Sequence, residues 1–172
     1  VTAEGDPTAL DKLDIRVVKG DLRIARQKSG SGGAARIHVV PPHISDATIT
    51  GAGNLSVDRV DGDVDLSIVG AGNLILRSMK ANDAELSIAG AGDMRVAGSA
   101  QRLKASIAGS DDIDASGLSA TSGAISITGT GSLRGQARGD ATVEILGPGD
   151  VELTGGARCK TRAIGPGEAR CS

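Results

Sequence analysis

The residues whose types could do chemistry are few and regularly placed. Asn54, Asn73, Asp93, Asp112, Ser132 and Asp150 recur at a near-constant interval, and Glu168 continues the series. Stacked in space they would make a polar ladder. A hard cation such as Ca²⁺ would need several such oxygens at once. The same residue types serve turns, where Asn and Asp bond the neighbouring backbone. The turn reading is favoured, because the glycine-rich nonapeptide signature of calcium-binding coils is absent. No metal ligand, cofactor or catalytic residue is assigned.

A second acidic group is Asp58, Asp61, Asp63 and Asp65, with Arg59 and Arg77 the nearest bases in sequence. Polysaccharide lyases built as β-helices carry acidic calcium sites with Lys and Arg nearby, but those enzymes place long loops over a cleft. Here almost nothing is inserted between repeats, so an enzyme acting on polysaccharide is the weakest reading. His38 and His43 are the only histidines, and two ligands do not make a zinc site. "GGARCKT" at 155–161 lacks the glycine that a phosphate loop places before its lysine. Cys159 and Cys171 lie 12 residues apart near the C-terminus. The favoured reading is a disulfide that pins the last repeat, worth about 3 kcal/mol by loop-closure entropy and implying an oxidising compartment. The alternative is two free thiols.

These side chains are positioned by a repeat. "ITGAGNL" at Ile49 returns as "IVGAGNL" at Ile68, "IAGAGDM" at Ile88, "IAGSDDI" at Ile107, "ITGTGSL" at Ile127 and "ILGPGDV" at Ile145, with a weaker copy, "AIGPGEA", at Ala163. The first glycines are Gly51, Gly70, Gly90, Gly109, Gly129, Gly147 and Gly165, separated by 19, 20, 19, 20, 18 and 18 residues. A fixed period of this size marks a stacked architecture whose units bury their apolar side only against each other. Alternation such as "LSIVG" has the period of a strand, and two glycines per repeat count against helix. The expected fold is all-β: a single-domain parallel β-helix of about seven coils of 18–20 residues. The glycines mark corners needing positive φ. Ile49, Ile68, Ile88, Ile107, Ile127 and Ile145 form one core column. Leu55, Leu74, Met94, Ile113, Leu133 and Val151 form a second. Val57, Leu76, Val96 and Leu153 form a third, interrupted at Ala115 and Gly135. With strands about 4.8 Å apart, seven coils make a rod of about 30–35 Å.

Composition narrows the function. The chain has 172 residues, 39% of them apolar and none aromatic. A narrow lumen needs no aromatic bulk, but nucleic-acid binding to single strands leans on aromatic platforms. With a net charge of −2 and no basic stripe, a nucleic-acid partner is not expected. No apolar run approaches the roughly 20 residues of a membrane span. No signal peptide is visible at Val1, which fits a mature or trimmed form. Residues 1–12 show little pattern. Residues 13–24 read as a hairpin, "LDIRVV" and "LRIA" about a "KGD" turn. Residues 27–34 read as a flexible loop, and "RIHVV" as a strand stopped by Pro41 and Pro42. Residues 1–44 are expected to cap the solenoid and residues 45–172 to form its coils, since an open strand edge invites aggregation. At the far end the chain stops within a few residues of the last motif, which leaves that edge to the cysteines or to another chain.

The repeats "SIVGAGNL", "SIAGAGDM" and "SITGTGSL", preceded by "LDIRVVKGDLRIARQ" and "ARIHVVPPHISDATITGAG", resemble the auto-transporter adhesin head GIN domain, also called domain of unknown function 2807. The resemblance runs from about Leu13 to Arg170. It implies a right-handed β-helix, export by a bacterium to the periplasm, outer surface or medium, and a non-enzymatic binding role toward a protein or glycan surface. It brings no catalytic residues. The fourth copy departs from the pattern by losing its second glycine, and the last two copies use Gly-Pro-Gly. Bactofilins, cytoskeletal β-helices with coils of similar length, suggest the alternative of a scaffold that polymerises through its exposed coil edges.

Overall fold

The computed structural model describes residues 44–172 in full and, of residues 1–43, the backbone of four strands. The chain divides into two units, Val1–Pro42 and His43–Ser172. In the first, β1 (Thr2–Gly5) pairs antiparallel with β4 (Ala35–His38), and β2 (Leu13–Val18) pairs antiparallel with β3 (Asp21–Arg26), placing Val18 opposite Asp21. β1 lies where the sequence shows little pattern: "TAEG" has no apolar alternation, and its strand rests on backbone pairing. The loop at 27–34, the Pro41–Pro42 stop and His43 lie outside the described residues.

The second unit is a parallel β-solenoid of about seven turns, without helix among the described residues. Its early strands are β5 (Asp46–Gly51), β6 (Asn54–Val57), β7 (Val60–Asp61) and β8 (Val64–Gly70). Three long strands follow, β9 (Asn73–Gly90), β10 (Asp93–Gly109) and β11 (Asp112–Gly129). The last are β12 (Ser132–Ala137), β13 (Asp140–Leu146), β14 (Asp150–Thr154), β15 (Arg158–Ile164) and β16 (Ala169–Cys171). Every pairing here is parallel and joins a coil to the next: Ile68 lies beside Ile49 and Ile88, and Ile107 beside Ile127. The glycine period therefore is the coil period.

The lumen is filled by the columns read from the repeat. Leu66, Ile68, Leu74, Leu76, Leu86 and Ile88 have essentially no exposed surface. Full burial of one such side chain stabilises by about 1.5–3 kcal/mol. The third column does not break at Ala115 and Gly135. Both stay in register with Leu153, and a Cβ on Gly135 would sit 3.3 Å from Leu153 Cδ2. The Leu153 side chain reaches into the space beside Gly135, so the column narrows there. Where β11 passes to β12, the register slips between Ala115 and Ser119, which accommodates the change from 20-residue to 18-residue coils.

Candidate functional site

All seven first glycines have positive φ, from 93° to 146°. Gly70 shows why no other residue serves. At φ 130° a Cβ would lie 2.5 Å from the carbonyl oxygen of Gly51 one coil below. Strain and collision coincide, because the coils approach backbone to backbone at the corner. Gly62, Gly98, Gly155 and Gly156 also take positive φ. The repeat pattern does not mark these four, since they stand at corners outside its glycine motif.

The polar ladder runs along that corner, and its oxygens face the next coil. Asn73 Nδ2 donates to Asn54 Oδ1 at 3.0 Å, and the Asp93 amide to Asn73 Oδ1 at 3.3 Å. Asp112 Oδ1 accepts from the Ser132 amide at 3.0 Å and from the Ser132 hydroxyl. Asp150 Oδ1 accepts from the Glu168 amide at 3.0 Å. Asn73, Asp112 and Asp150 thus each satisfy a backbone N–H of the following coil, and Asn54 bonds the side chain above it, which holds register. Among the described residues, no group of three or more His, Cys, Asp or Glu side chains is arranged to hold a metal ion.

The second acidic group is dispersed by its partners. Arg59 pairs with Asp61 at 2.8 Å and Arg77 with Asp58 at 2.9 Å. Asp63 Oδ1 accepts from the Asn82 and Asp83 amides at 3.0 and 2.9 Å. Asp65 stands elsewhere, in a column with Asp46 and Glu85. That column borders a surface depression of about 650 Å³ whose charged lining is Asp46, Asp63, Asp65, Asp83, Glu85, Arg102 and Lys104. Lys104 Nζ donates to Glu85 at 2.6 Å, and Arg102 forks onto Asp83. The hydrogen bond from Arg102 holds the Asp83 carboxyl below the usual carboxylate range. Asp65 moves the other way: partial desolvation, then the charges of Glu85 and Asp46, push its carboxyl up. The depression is acidic over its early coils and basic over Arg102 and Lys104.

Cys159 and Cys171 form a disulfide, with Cα atoms 6.4 Å apart. Cys159 follows Ala141 in its column and Cys171 follows Leu153. The bond therefore ties β15 to β16 between two lumen-facing columns of the last coil.

The sequence pattern of the family described as "Putative auto-transporter adhesin, head GIN domain" matches residues 1–157. The chain belongs to this GIN-domain family. Its fold is shared by solved structures described as putative adhesins. One from Bacteroides fragilis has a TM-score of 0.90 at 20% identity over 99% of this chain and 81% of that one. Those from Parabacteroides distasonis and Parabacteroides merdae have TM-scores of 0.70 and 0.75, at 20% and 18% identity, each over 96% of this chain and 80% of the other. At such identities the likeness shows the fold alone. None of the curated proteins matches this sequence.

One residue of this GIN domain escaped the sequence reading. Asp111 occupies the second-glycine position of the fourth copy and is fully buried. Its Oδ1 accepts from the Gly92 amide at 2.6 Å, while its Oδ2 is buried without a partner. In the next coil down but one this column is closed to side chains: a Cβ on Gly72 would lie 2.8 Å from both Gly53 O and Ile49 Cγ2. The lost glycine in "IAGSDDI" was the available signal. It showed a departure from the pattern but not the direction of the side chain.

Proposed function

We propose that this GIN domain is a non-enzymatic, exported binding module of a bacterial envelope or surface, which docks on a protein or glycan through its side wall. The observation that carries the reading is the 650 Å³ depression between coils, lined by carboxylates on one side and by Arg102 and Lys104 on the other. Such a surface offers hydrogen-bond donors and acceptors of both signs over a shallow area, as a polar macromolecular surface requires. Asp83 and Glu85 are engaged in cross-coil pairs with Arg102 and Lys104, and Asp63 accepts from backbone amides of the next coil. Export is supported by the disulfide, since thiols persist reduced in a cytosol, and by family membership. Among the described residues no helix is long and apolar enough to cross a membrane.

The test is binding of the oxidised protein to immobilised envelope glycans, envelope proteins and intact bacterial cells. Saturable binding that falls at least tenfold in Glu85→Lys, with an unchanged melting temperature, is the expected outcome. Absence of binding to all three surfaces, or binding indifferent to that charge reversal, would refute the reading.

A further inference from the structure

Among the described residues, three of the four large aliphatic side chains left exposed, Val69, Leu146 and Ile164, point outward from one wall of the solenoid. They are 47%, 50% and 54% exposed. The wall is built from β5, β8, the second halves of β9, β10 and β11, then β13 and β15. Strand alternation presents three outward columns. The outer one begins Asp46, Asp65, Glu85, and ends at Lys160, with Lys104 at its centre. The middle one carries Thr48, Ser67, Ser87, Ser106 and Ser126, then Glu144 and Arg162. The inner one holds Val69 near one end, Leu146 and Ile164 near the other, and Ala89, Ala108 and Thr128 between.

We infer that this wall pairs with the same wall of a second copy, the two solenoids antiparallel about a two-fold axis passing through Ser106. An isologous contact requires a self-complementary patch, and the columns have that property in one orientation only. With the axis along the strands, each column meets itself reversed. Val69 then lies against the partner's Leu146, and Asp46 against the partner's Lys160. Ser87 faces the partner's Ser126. At the centre, Ser106 and Ala108 meet their own copies, and Lys104 is already neutralised by Glu85 at 2.6 Å. The small central residues let the walls approach, while the larger apolar and charged groups near the ends set the register. A parallel arrangement would instead place Val69 on the partner's Asp65 and Ile164 on the partner's Lys160, burying charge against aliphatic surface.

The area is adequate for a modest dimer. Seven coils at about 4.8 Å and three outward columns give roughly 30 by 20 Å. Two copies would bury about 1,200 Å², the lower end for specific interfaces. The wall shares its outer column, from Asp46 through Asp65, Glu85 and Lys104 to Ala124, with the depression described above, but the apolar and serine columns lie outside it, and the inference stands whether or not the depression binds a surface.

Sedimentation equilibrium of the oxidised protein over a wide concentration range is the first arm of the test, with a concentration-dependent dimer expected. Ala108→Arg, which would bring two guanidiniums together on the axis, should abolish it without altering the melting temperature. Val69→Glu, placed against the partner's Leu146, is the second disruptive variant and should weaken the dimer at least tenfold. In the second arm, Ser106→Cys should cross-link on mild oxidation and Ser67→Cys should not, because Ser67 faces the partner's Glu144. A monomer at the highest concentration would overturn the inference. So would a dimer insensitive to Ala108→Arg and Val69→Glu in folded protein, or cross-linking of Ser67→Cys as fast as Ser106→Cys, the mark of parallel pairing.

Discussion

Coil three and coil seven occupy the same lattice but are held differently. In coil three, the lumen-facing residues of β9 include Leu74, Leu76, Ala84, Leu86 and Ile88, all essentially buried. In coil seven the same columns hold Ala169, Cys171, Cys159, Thr161 and Ala163. Backbone pairing is similar in both, but coil seven has far less apolar surface to bury. The disulfide from Cys159 to Cys171 supplies there what packing supplies in the middle. A stacked fold can thus replace hydrophobic burial by a covalent tie within one coil while the backbone ladder continues unchanged.

Substitutions can break this contrast, beginning with the largest effect. Ile88→Ala should cost about 2–5 kcal/mol, the range for deleting a buried aliphatic side chain, read as a lower midpoint in denaturant. The equivalent place in coil seven is already Ala163, so Ala163→Gly should cost well under half of that. Cys171→Ser should lower stability by up to about 3 kcal/mol, the chain-entropy value for a short loop. The wild-type protein in reductant should show the same loss of midpoint. If Cys171→Ser costs nothing, packing alone holds coil seven.

Smaller effects test the coils between. Asp111→Gly restores the glycine of the other copies and removes the buried side chain whose second oxygen has no partner. It should raise stability by about 1 kcal/mol, since an unsatisfied buried oxygen costs about 1–3 kcal/mol. A drop in melting temperature would show that the hydrogen bond to the Gly92 amide outweighs that cost. The smallest effect is on pH dependence. Asp83 and Asp114 have lowered carboxyl affinities for protons, Asp83 through Arg102 and Asp114 through Ser116 and then Arg95. Their contribution is present above the ordinary carboxylate value and lost as pH falls through their depressed folded values. Asp65 is raised, so its ionisation opposes folding and that penalty disappears as pH falls below its unfolded value. Asp65→Asn should therefore stabilise at pH 7 and be neutral at acidic pH, as melting curves across pH would show.

The solenoid was legible because its determinants repeat. Ile68 and Ile88 lie one period apart in sequence and one strand apart in space, so each copy confirms the others. The corner glycines were legible for the same reason, and the structure gives all seven positive φ. What the repeat could not show lay off its period or across its columns. β1 pairs through its backbone without a patterned face. Gly98 turns a corner outside the motif, where a Cβ would strike the backbone of Met79. Asp111 replaces a glycine, and only the neighbouring coil decides whether its side chain goes in or out. The depression gathers Asp65, Glu85, Arg102 and Lys104 from three coils, and no stretch of sequence contains them together. Its acidic and basic sides emerge only when the coils are stacked in register.

Hydrogen exchange of the backbone amides, with and without reductant, tests most directly whether packing holds the middle coils and the disulfide holds the last. The expected result is strong protection across β9, β10 and β11 in both conditions, with protection in β15 and β16 lost on reduction. Uniform loss along the whole solenoid, or undiminished protection of β15 and β16 in reductant, would contradict it.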